Sequence, residues 1–356
     1  MMSKKVILLS FALSFLVFGT WSFPRFYFDN LKTSSPSPQP SLEPLNSGAA
    51  FDAVRAIFVG DIMLSRNVAK QMEKNQDFSF PFLKIKDFLN SADFVFGNLE
   101  GPISDKGRNQ GSIYSFRADP RAVAGLRSAG FRVLSLANNH IWDWGEDALR
   151  QTTEILEQNN IFSVGAGEDY DSANRILVFE EKGIKFGFFA ATNLYPESLE
   201  ADENFPGISN PDFDVLANAV KRIKGEGLVD FMIVSLHWGN EYEKEPGPWQ
   251  VQEAHKLAAA GADLIIGHHP HVVQSFERYP VKLSGDNHGA GGQSLIFYSL
   301  GNFVFDQGFS RETMEGLAVE VEFKKSRELS PRLFQIKLNE YYQPELGEII
   351  DNFSVL

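Results

Sequence analysis

Five short segments of the chain share one pattern, in which an apolar run ends abruptly in polar side chains that can bind metal. The five runs span residues 57–61, 94–100, 133–140, 232–239 and 264–271. Buried strands of a parallel sheet are continuous apolar runs, and ligands bind beyond the carboxyl ends of such strands. The pattern therefore predicts an α/β fold with a single site that collects Asp, Glu, Asn and His side chains from five strand ends.

Each of these polar residues, taken alone, has a simpler explanation. An Asp or Asn after a strand usually forms a turn or a helix cap, and an isolated buried His is usually bonded within the core. Their clustering is harder to explain in this way, because five of the seven histidines fall at or just beyond these strand ends. They are His140, His237, His268, His269 and His271. The concentration of imidazole beside carboxylate and amide groups favours a metal site.

The fifth run ends in His268-His269-Pro270-His271. Pro270 disfavours the α conformation at His269, and alternate residues of an extended chain point to the same side. We therefore expect extended backbone here, with His269 and His271 converging on one ion or straddling a pair about 3.5–4 Å apart. His268 is expected to face the other way in a structural or supporting role. With no cysteine in the chain, these ligands suit one or two divalent ions such as Mn, Zn or Fe.

Six motifs in fixed order resemble those of the CapA family, which are capsule-synthesis proteins associated with poly-γ-glutamate. They are Gly60-Asp61, Asn98-Leu99-Glu100, Ala137-Asn138-Asn139-His140 with Asp143 and Gly145, His237-Trp238-Gly239 with Glu241-Tyr242, Gly267-His268-His269-Pro270-His271, and Tyr298-Ser299-Leu300-Gly301-Asn302-Phe303. The resemblance covers about residues 55 to 322. It implies an anionic polymer or cell-envelope phosphate as substrate, and membrane partner proteins in a capsule synthesis complex.

The CapA family in turn resembles the calcineurin-like metallophosphoesterases, whose fold is a four-layer αββα sandwich of two sheets flanked by helices. Carried over position by position, the resemblance implies a catalytic role for His140. The metal ligands that it implies are Asp61, Glu100, Asn139, His237, His269 and His271. The supporting or pocket residues are Asn98, Asn138, Trp238, His268 and Asn302.

The chain departs from the metallophosphoesterase pattern at two positions. That pattern has Asp-x-His in its first motif, whereas this chain has Asp61-Ile62-Met63 and so lacks one imidazole. The bridging residue of the pattern is Asp, and here Glu100 is one methylene longer. Three functions therefore stay open: an accessory protein of capsule synthesis or export with a metal site, an active metal-dependent phosphoesterase, or a ligand-binding scaffold on the same fold.

The N-terminal region predicts a membrane anchor. Lys4 and Lys5 precede an uncharged apolar run of 18 residues, 6–23, which is long enough to span a bilayer. Its aromatic end differs from the small residues of a cleavage site, so we favour a signal anchor over a cleaved signal peptide. The leading lysines place the remainder outside the cytoplasm. This predicts a single-pass protein of the cell membrane, with an anchor at 1–28, a Ser/Pro-rich linker at 29–52, the domain at 53–345 and a tail at 346–356.

Charge excludes one class of partner. The formal net charge is −13, whereas nucleic-acid binding depends on clustered Lys and Arg. The same sign opposes an anionic polymer, unless metal ions and local arginines offset it. One such local set is Arg66, Arg108, Arg117 and Arg121.

Hydrophobic periodicity predicts the elements that connect the five runs. Helices are expected at about 81–90, 120–129, 145–158, 212–224 and 248–260. Further strands are expected at 175–180, 184–190, 294–300, 316–323 and 333–338.

Overall fold

A computed structural model describes residues 33–34, 53–195, 197–281 and 292–350. The predicted anchor at 1–28 lies outside these residues, as does nearly all of the predicted linker. Within the described part of the chain, no helix has the length and apolar character needed to cross a membrane.

The strands follow the predicted runs and add shorter elements between them. In chain order they are β1 (Thr33–Ser34), β2 (Ala53–Ile62), β3 (Phe94–Leu99), β4 (Phe131–Ser135), β5 (Phe162–Val164), β6 (Ala166–Gly167), β7 (Ile176–Glu181), β8 (Ile184–Thr192), β9 (Gly207–Ile208), β10 (Phe231–His237), β11 (Leu264–His268), β12 (Phe276–Val281), β13 (Gly292–Phe297), β14 (Asn302–Val304), β15 (Glu315–Lys324), β16 (Leu329–Leu338) and β17 (Pro344–Ile350). All five runs that carry the motifs are therefore strands.

These strands form two large mixed sheets. Sheet A has seven strands in the order β1-β7-β8-β10-β11-β13-β12, and sheet B has eight, with β17-β16-β15-β2-β3-β4-β5 in order and β14 beside β2. The motif strands β2, β3 and β4 are parallel neighbours in sheet B, and β10 and β11 are parallel neighbours in sheet A. The motifs therefore end at the carboxyl edges of two different sheets.

The two sheets are joined by a core of phenylalanine rings. Phe96 of β3 stacks on Phe188 of β8, with ring centroids 5.6 Å apart, and Phe94 meets Phe186 of β8 edge to face at 5.3 Å. Each such pair contributes about 0.5–1.5 kcal/mol beyond its buried area. The motif strands β3, β10 and β11 are buried along their whole length, because both of their faces are covered.

Helices cover the sheets. They are α1 (Arg66–Asn75), α2 (Lys86–Leu89), α3 (Val123–Ser128), α4 (Glu146–Gln158), α5 (Tyr170–Ala173), α6 (Phe213–Gly225) and α7 (Pro248–Ala260). Leu216 of α6 and Leu257 of α7 pack with Val234 and Ile265 of sheet A, whereas α1, α3 and α4 contribute to the cluster that contains sheet B. The predicted α/β class, with two packed sheets and flanking helices, is confirmed for the described residues.

Several predicted boundaries differ from the structure. The segment predicted as one helix at 81–90 is a 3-10 turn followed by the single turn α2, whereas α4, α6 and α7 lie within one or two residues of prediction. Strand β17 continues to Ile350, five residues past the predicted domain end at 345, because 344–350 pairs with β16 as a largely exposed edge strand. Thr33 and Ser34 of the predicted linker pair with β7.

A candidate metal centre at the shared edge of two sheets

The structure brings the ends of the five motif strands together at one edge. In sheet B, Asp61 of β2 is the direct partner of Asn98 of β3. In sheet A, His237 of β10 is the direct partner of His268 of β11. Hydrogen bonds then cross between the sheets, since the Asn98 amide nitrogen lies 3.3 Å from His237 Nδ1.

A single loop crosses both sheets at this edge and requires glycine on each side. A Cβ on Gly60 would lie 1.9 Å from the carbonyl oxygen of Gly301, and a Cβ on Gly267 would lie 1.8 Å from that of Tyr298. The crossing is fixed by hydrogen bonds, because Asp61 N donates to Gly301 O at 3.0 Å and Leu300 N donates to Gly267 O at 3.2 Å. Gly60 precedes Asp61, and Gly267 precedes the His-His-Pro-His segment. Because neither glycine has a side chain, the motif that begins at Tyr298 can pass close to both sheets and connect them.

Asp61 is completely buried at the centre of this arrangement. Its Oδ1 accepts a hydrogen bond from Asn98 Nδ2 at 2.9 Å, and its Oδ2 accepts one from the backbone N–H of His269 at 3.2 Å. Burial opposes ionisation, but the histidines His268 and His271 hold the pKa of this carboxyl well below its usual range. Asp61 is thus a carboxylate, the form in which it can bind a cation.

Glu100 is also buried, and it lacks hydrogen-bond donors. Neither carboxyl oxygen has a hydrogen-bond partner among the described residues. Its Oε1 lies 3.6 Å from His271 Nε2 and 3.9 Å from His140 Nε2. Burial raises the pKa of Glu100 well above its usual range, and the charge of the nearby His271 offsets this only in part. A buried carboxylate of this kind is explained by a cation that supplies the missing partner.

His237 lies between two asparagine side chains. Its Nε2 is 2.9 Å from Asn139 Oδ1, while its Nδ1 faces Asn98. Burial lowers the pKa of His237 well below its usual value, so the ring is neutral, as metal binding requires. The separation of 2.9 Å between the two atoms is also close to that of neighbouring ligands at right angles around one octahedral ion, which lie about 3 Å apart when each bond is about 2.1 Å.

The His-His-Pro-His segment converges on the site through a different backbone from the one predicted. His269 has a φ of 96° and His271 a φ of 57°, so neither is extended, and the prediction of an extended chain was wrong. The backbone instead turns through conformations that non-glycine residues rarely adopt and that are typical of functional sites. The two rings still face a common region, with centroids 5.9 Å apart.

The surroundings of the His269 and His271 rings shift their pKa values in opposite directions. Burial lowers the pKa of His269 to about 3, helped by the charge of His271, and its Nδ1 has no hydrogen-bond partner among the described residues. Burial acts in the same direction on His271, but Glu100 and Asp61 outweigh it and raise the pKa to about 9. His271 thus partly neutralises the carboxylates in the absence of a metal ion.

Asn302 fixes the orientation of His271. Its Oδ1 lies 3.0 Å from His271 Nδ1, and its Nδ2 donates to Gln307 Oε1 at 3.1 Å and to the Thr313 carbonyl at 2.9 Å. Because both Nδ2 hydrogens are used, Oδ1 is the acceptor and His271 Nδ1 is the donor. The free Nε2 therefore faces Glu100, as a metal ligand with a supporting second partner would.

His140 is held by an aspartate that the predicted site residues did not include. Asp143 Oδ2 lies 2.8 Å from His140 Nδ1 and accepts a hydrogen bond from Phe116 N at 2.7 Å. Asn138 accepts from the backbone N–H of His140 at 3.1 Å. The His140 Nε2 is left facing Glu100. The sequence signal was the His-x-x-Asp spacing, which was noted only as part of a motif.

Two further predicted residues, His268 and Trp238, lie in different surroundings. His268 is fully buried, and its Nδ1 lies 3.2 Å from Asp61 Oδ1 without hydrogen-bond geometry, so it supports the aspartate. Trp238 packs with Phe213 and Tyr298 in the core beneath α6 and α7, and its indole N–H donates to the Tyr298 carbonyl at 3.1 Å. Trp238 is therefore packed in the core directly after His237.

The described residues contain two groups that could hold a metal ion. The first is Asp61, Glu100 and His237, which are all buried. The second is His269, His271 and Glu241, a residue that was absent from the predicted site residues. Neutral imidazole with carboxylate and amide oxygen is a donor set for Mn, Fe or Zn, so the residues present fit the predicted divalent ion. Fold and site together define a two-sheet α/β protein with a histidine–carboxylate centre at the shared edge.

Comparison with known proteins gives the family. The family model described as Bacterial capsule synthesis protein PGA_cap matches residues 55–307, and the chain belongs to this family. It is 35% identical over 259 residues to the Capsule biosynthesis protein CapA of Bacillus anthracis, covering 71% of this chain and 60% of that protein. It is 33% identical to the PGA biosynthesis protein CapA of Bacillus subtilis, covering 77% and 69%. The match thus spans less than two thirds of the Bacillus anthracis protein.

Solved structures give only a distant likeness. The structure of Haemophilus influenzae NAD nucleotidase (NadN) aligns over 83% of this chain and 54% of its own, with a TM-score of 0.46 and 11% sequence identity. A score at this level carries no conclusion about chemistry.

Proposed function

We propose that the chain is a membrane-anchored, extracytoplasmic protein of capsule or poly-γ-glutamate biosynthesis or export that uses a divalent metal centre. Membership of the capsule synthesis family supports the biological role. The observation that carries the metal centre is Glu100, a buried carboxylate without a hydrogen-bond partner among the described residues, placed opposite His271 and His140. Buried charge of this kind costs free energy without a partner, which supports a bound cation at this place.

The residues divide into ligands and residues that orient them. Asp61, Glu100 and His237 would hold one ion, with Asn139 beside His237. A bound divalent ion would supply Lewis-acid polarisation of a phosphoryl or carbonyl oxygen and a lowered pKa for its water. Asn98 keeps the Asp61 carboxylate in place through Nδ2, and thereby fixes which oxygen faces the centre.

An anionic ligand is consistent with the surroundings of the centre despite the overall charge of −13. Arg66 is bound to the buried Asp306 at 2.8 Å and keeps 35% of its side chain exposed. Its guanidinium lies 5.4 Å from the ring of Phe116, which in turn lies 4.0 Å from the ring of His140. Arg121 is instead paired with Asp119 on the surface. We assign Arg66 to the substrate's negative charge because it is partly exposed and lies close to the ring that packs on His140.

A second candidate function is hydrolysis of a cell-envelope phosphate ester. The specific observation in its favour is the pair of His140 and Asp143, because the carboxylate on Nδ1 leaves Nε2 directed at the centre. In that position His140 would donate a proton to a leaving group, a step worth about 10²–10⁴-fold in rate. The missing first-motif imidazole, with Met63 in its place, argues for slow or specialised turnover.

The scaffold alternative predicts a site that tolerates loss of its ligand-type residues. Against it, Glu100 and His269 keep buried polar atoms without hydrogen-bond partners among the described residues, and His269 and His271 keep costly backbone conformations. Such features cost about 1–3 kcal/mol each and would be expected to relax in a protein that needs only the fold.

The proposal is tested by polymer production in a capsule-forming host in which this chain is the sole copy. We expect Asp61→Ala to abolish surface polymer, because it removes a ligand, whereas His255→Ala should leave production unchanged. His255 is a matched control because it is bonded to Glu277, outside the centre, at 2.7 Å. If the Asp61→Ala variant is present at the normal level and still supports wild-type amounts of surface polymer, the metal centre is dispensable. The scaffold function would then replace this proposal.

A further inference from the structure

Two exposed aromatic rings stand beside the buried centre. Phe309 is 65% exposed and meets the exposed ring of Tyr242 edge to face, with centroids 5.2 Å apart. The Tyr242 ring lies 6.2 Å from the ring of His271. This aromatic pair therefore borders the solvent side of the centre.

The aromatic pair is fixed by groups that belong to the centre. The N–H of Tyr242 donates to the carbonyl of Pro270, between the two histidines, at 2.8 Å. The Tyr242 hydroxyl accepts from Gln307 Nε2 at 3.3 Å. Gln307 Oε1 in turn accepts from Asn302 Nδ2 at 3.1 Å, and Asn302 orients His271. The place of the rings is therefore set together with that of the histidine ligands.

A second exposed apolar segment lies in the long loop after β3, residues 100–119. Loops of this length are usually functional. Ile113 is 92% exposed and Tyr114 is 66% exposed. Burial raises the pKa of the Tyr242 hydroxyl, the carboxylate of Glu241 adds to the rise, and the Tyr114 hydroxyl is near enough to add to it as well. This segment therefore lies near the Tyr242 ring.

The segment is tied to the centre through Asp143. On one side of it, Gln110 N donates to the Asp143 carbonyl at 2.9 Å, and on the other side Phe116 N donates to Asp143 Oδ2 at 2.7 Å. The same Oδ2 lies 2.8 Å from His140 Nδ1. Both exposed segments are thus bonded to groups that orient a histidine of the centre.

Four exposed side chains therefore form an apolar rim beside a buried polar centre. They are Ile113, Tyr114, Tyr242 and Phe309. Single exposed apolar residues are common, whereas a group of them in one place marks a binding surface. A wholly polar ligand would leave the rim in water, whereas a ligand with an anionic group beside a hydrocarbon chain would cover it. The net charge of −13 disfavours the surface of an anionic bilayer as the occupant.

We propose that the apolar rim binds the hydrocarbon chain of a lipid-linked phosphate whose phosphate group lies at the centre. This inference rests on the proposed function and names the class of its anionic ligand. The divalent ion and Arg66, which is partly exposed, would hold the phosphate, and the rim would exclude water from the first part of the chain. The predicted anchor at 1–28 would keep the domain at the membrane, where such ligands are found.

The test measures the binding of alkylphosphonates to the full-length chain, purified in mild detergent and loaded with Mn²⁺. Methylphosphonate and hexylphosphonate carry the same anionic group, differ in chain length, and have a P–C bond that a phosphoesterase does not hydrolyse. Calorimetric titration gives both affinities at one detergent concentration, so that partition of the probe into micelles is the same for every protein. Thermal unfolding in chelator checks that each variant is folded.

Phe309→Ser and Ile113→Ser each remove one part of the rim. Phe205→Ser is the matched control, because Phe205 is a similarly exposed phenylalanine, at 63%. Its loop is bonded to α5 rather than to the centre, since Tyr170 N donates to the Asp202 carbonyl at 2.7 Å.

Each CH₂ group that the rim covers should tighten binding by about fourfold. We expect the wild type and Phe205→Ser to bind hexylphosphonate about 15-fold more tightly than methylphosphonate, which corresponds to about two covered groups. In Phe309→Ser and Ile113→Ser this ratio should fall severalfold, while the affinity for methylphosphonate is kept.

Equal affinity of the wild type for both probes would assign the rim to another occupant, such as the apolar side chains of a partner protein. That result, or a ratio unchanged in both rim variants, would overturn the inference and leave the metal centre intact. A folded, Mn²⁺-loaded wild type that binds neither phosphonate would overturn this inference together with the anionic ligand of the proposed function.

Discussion

Removing the Asn302 side chain should weaken metal binding without touching a metal ligand. Asn302 is fully buried, accepts from His271 Nδ1 at 3.0 Å and donates to Gln307 and to the Thr313 carbonyl. In Asn302→Ala the imidazole of His271 loses the acceptor that keeps Nε2 directed at Glu100. Second partners of metal-binding histidines contribute about 10–100-fold to affinity, which is about 1.4–2.8 kcal/mol. We expect a loss of that size.

The same change should lower stability by a separate route. It leaves the Thr313 carbonyl without its side-chain donor, and an unpaired buried group costs about 1–3 kcal/mol. For a domain of this size each kcal/mol lowers Tm by about 2–4 °C. Calorimetric titration with Mn²⁺ measures the first effect, and thermal unfolding in chelator measures the second, because the chelator removes metal from both proteins.

Asn339→Ala is the matched control for this prediction. Asn339 also connects several groups, since its Oδ1 accepts from the N–H groups of Tyr341 and Gln343 at 2.9 and 3.1 Å, but it does so in the hairpin between β16 and β17. We expect it to lose stability and to keep wild-type metal affinity. If Asn302→Ala also keeps the wild-type affinity while losing stability, then His271 is not a ligand and its assignment is refuted.

Three further changes test other parts of the account. His140→Ala should keep its metal and lower phosphoesterase turnover by about 10²–10⁴-fold. Asp61→Ala should lose both its metal and its turnover. Loss of metal in His140→Ala would show that His140 is a metal ligand instead. Gly60→Ala places a Cβ 1.9 Å from the Gly301 carbonyl and should cost about 1–3 kcal/mol in urea unfolding; no change would contradict the crossing. The full-length chain should stay with membranes in alkaline carbonate, and a chain beginning at Ala50 should be released; a mature N-terminus beyond residue 20 would instead establish cleavage.

The motif strands could be predicted from sequence because burial on both faces leaves an uninterrupted apolar run, as in β3, β10 and β11. Elements with neither such a run nor a clear helical period were missed. Helix α1 buries only Val68 and Met72, too few for a clear period, and it begins at Arg66 with a φ of 54°. Strand β17 is an exposed edge strand, so its hydrophobic side chains carry no alternating pattern.

The sequence predicted that the ligands meet, because each of them follows the end of a strand. It did not predict the local backbone geometry of His269 and His271. The turn at His269 and His271 depends on contacts made by Asp61 and by the loop after β10, which lie far away in the chain. Asp143 and Glu241 were not among the predicted site residues, although both stand in the motifs. No hydrophobic periodicity marks a functional carboxylate on a loop, and only the fold determines which side chain it contacts. A strand-end residue such as Trp238 can face either the site or the covering helices, and only the fold decides between the two.

Whether this edge of the two sheets is a metal centre can be measured from the metal content of the full-length chain and of its His269→Ala/His271→Ala variant. Both are purified without chelator, loaded with Mn²⁺ or Zn²⁺ and desalted before elemental analysis. We expect one or two ions per wild-type chain and a loss of bound metal in the variant. Metal at wild-type stoichiometry in the double variant, or a folded wild type that retains no ion, would contradict this expectation.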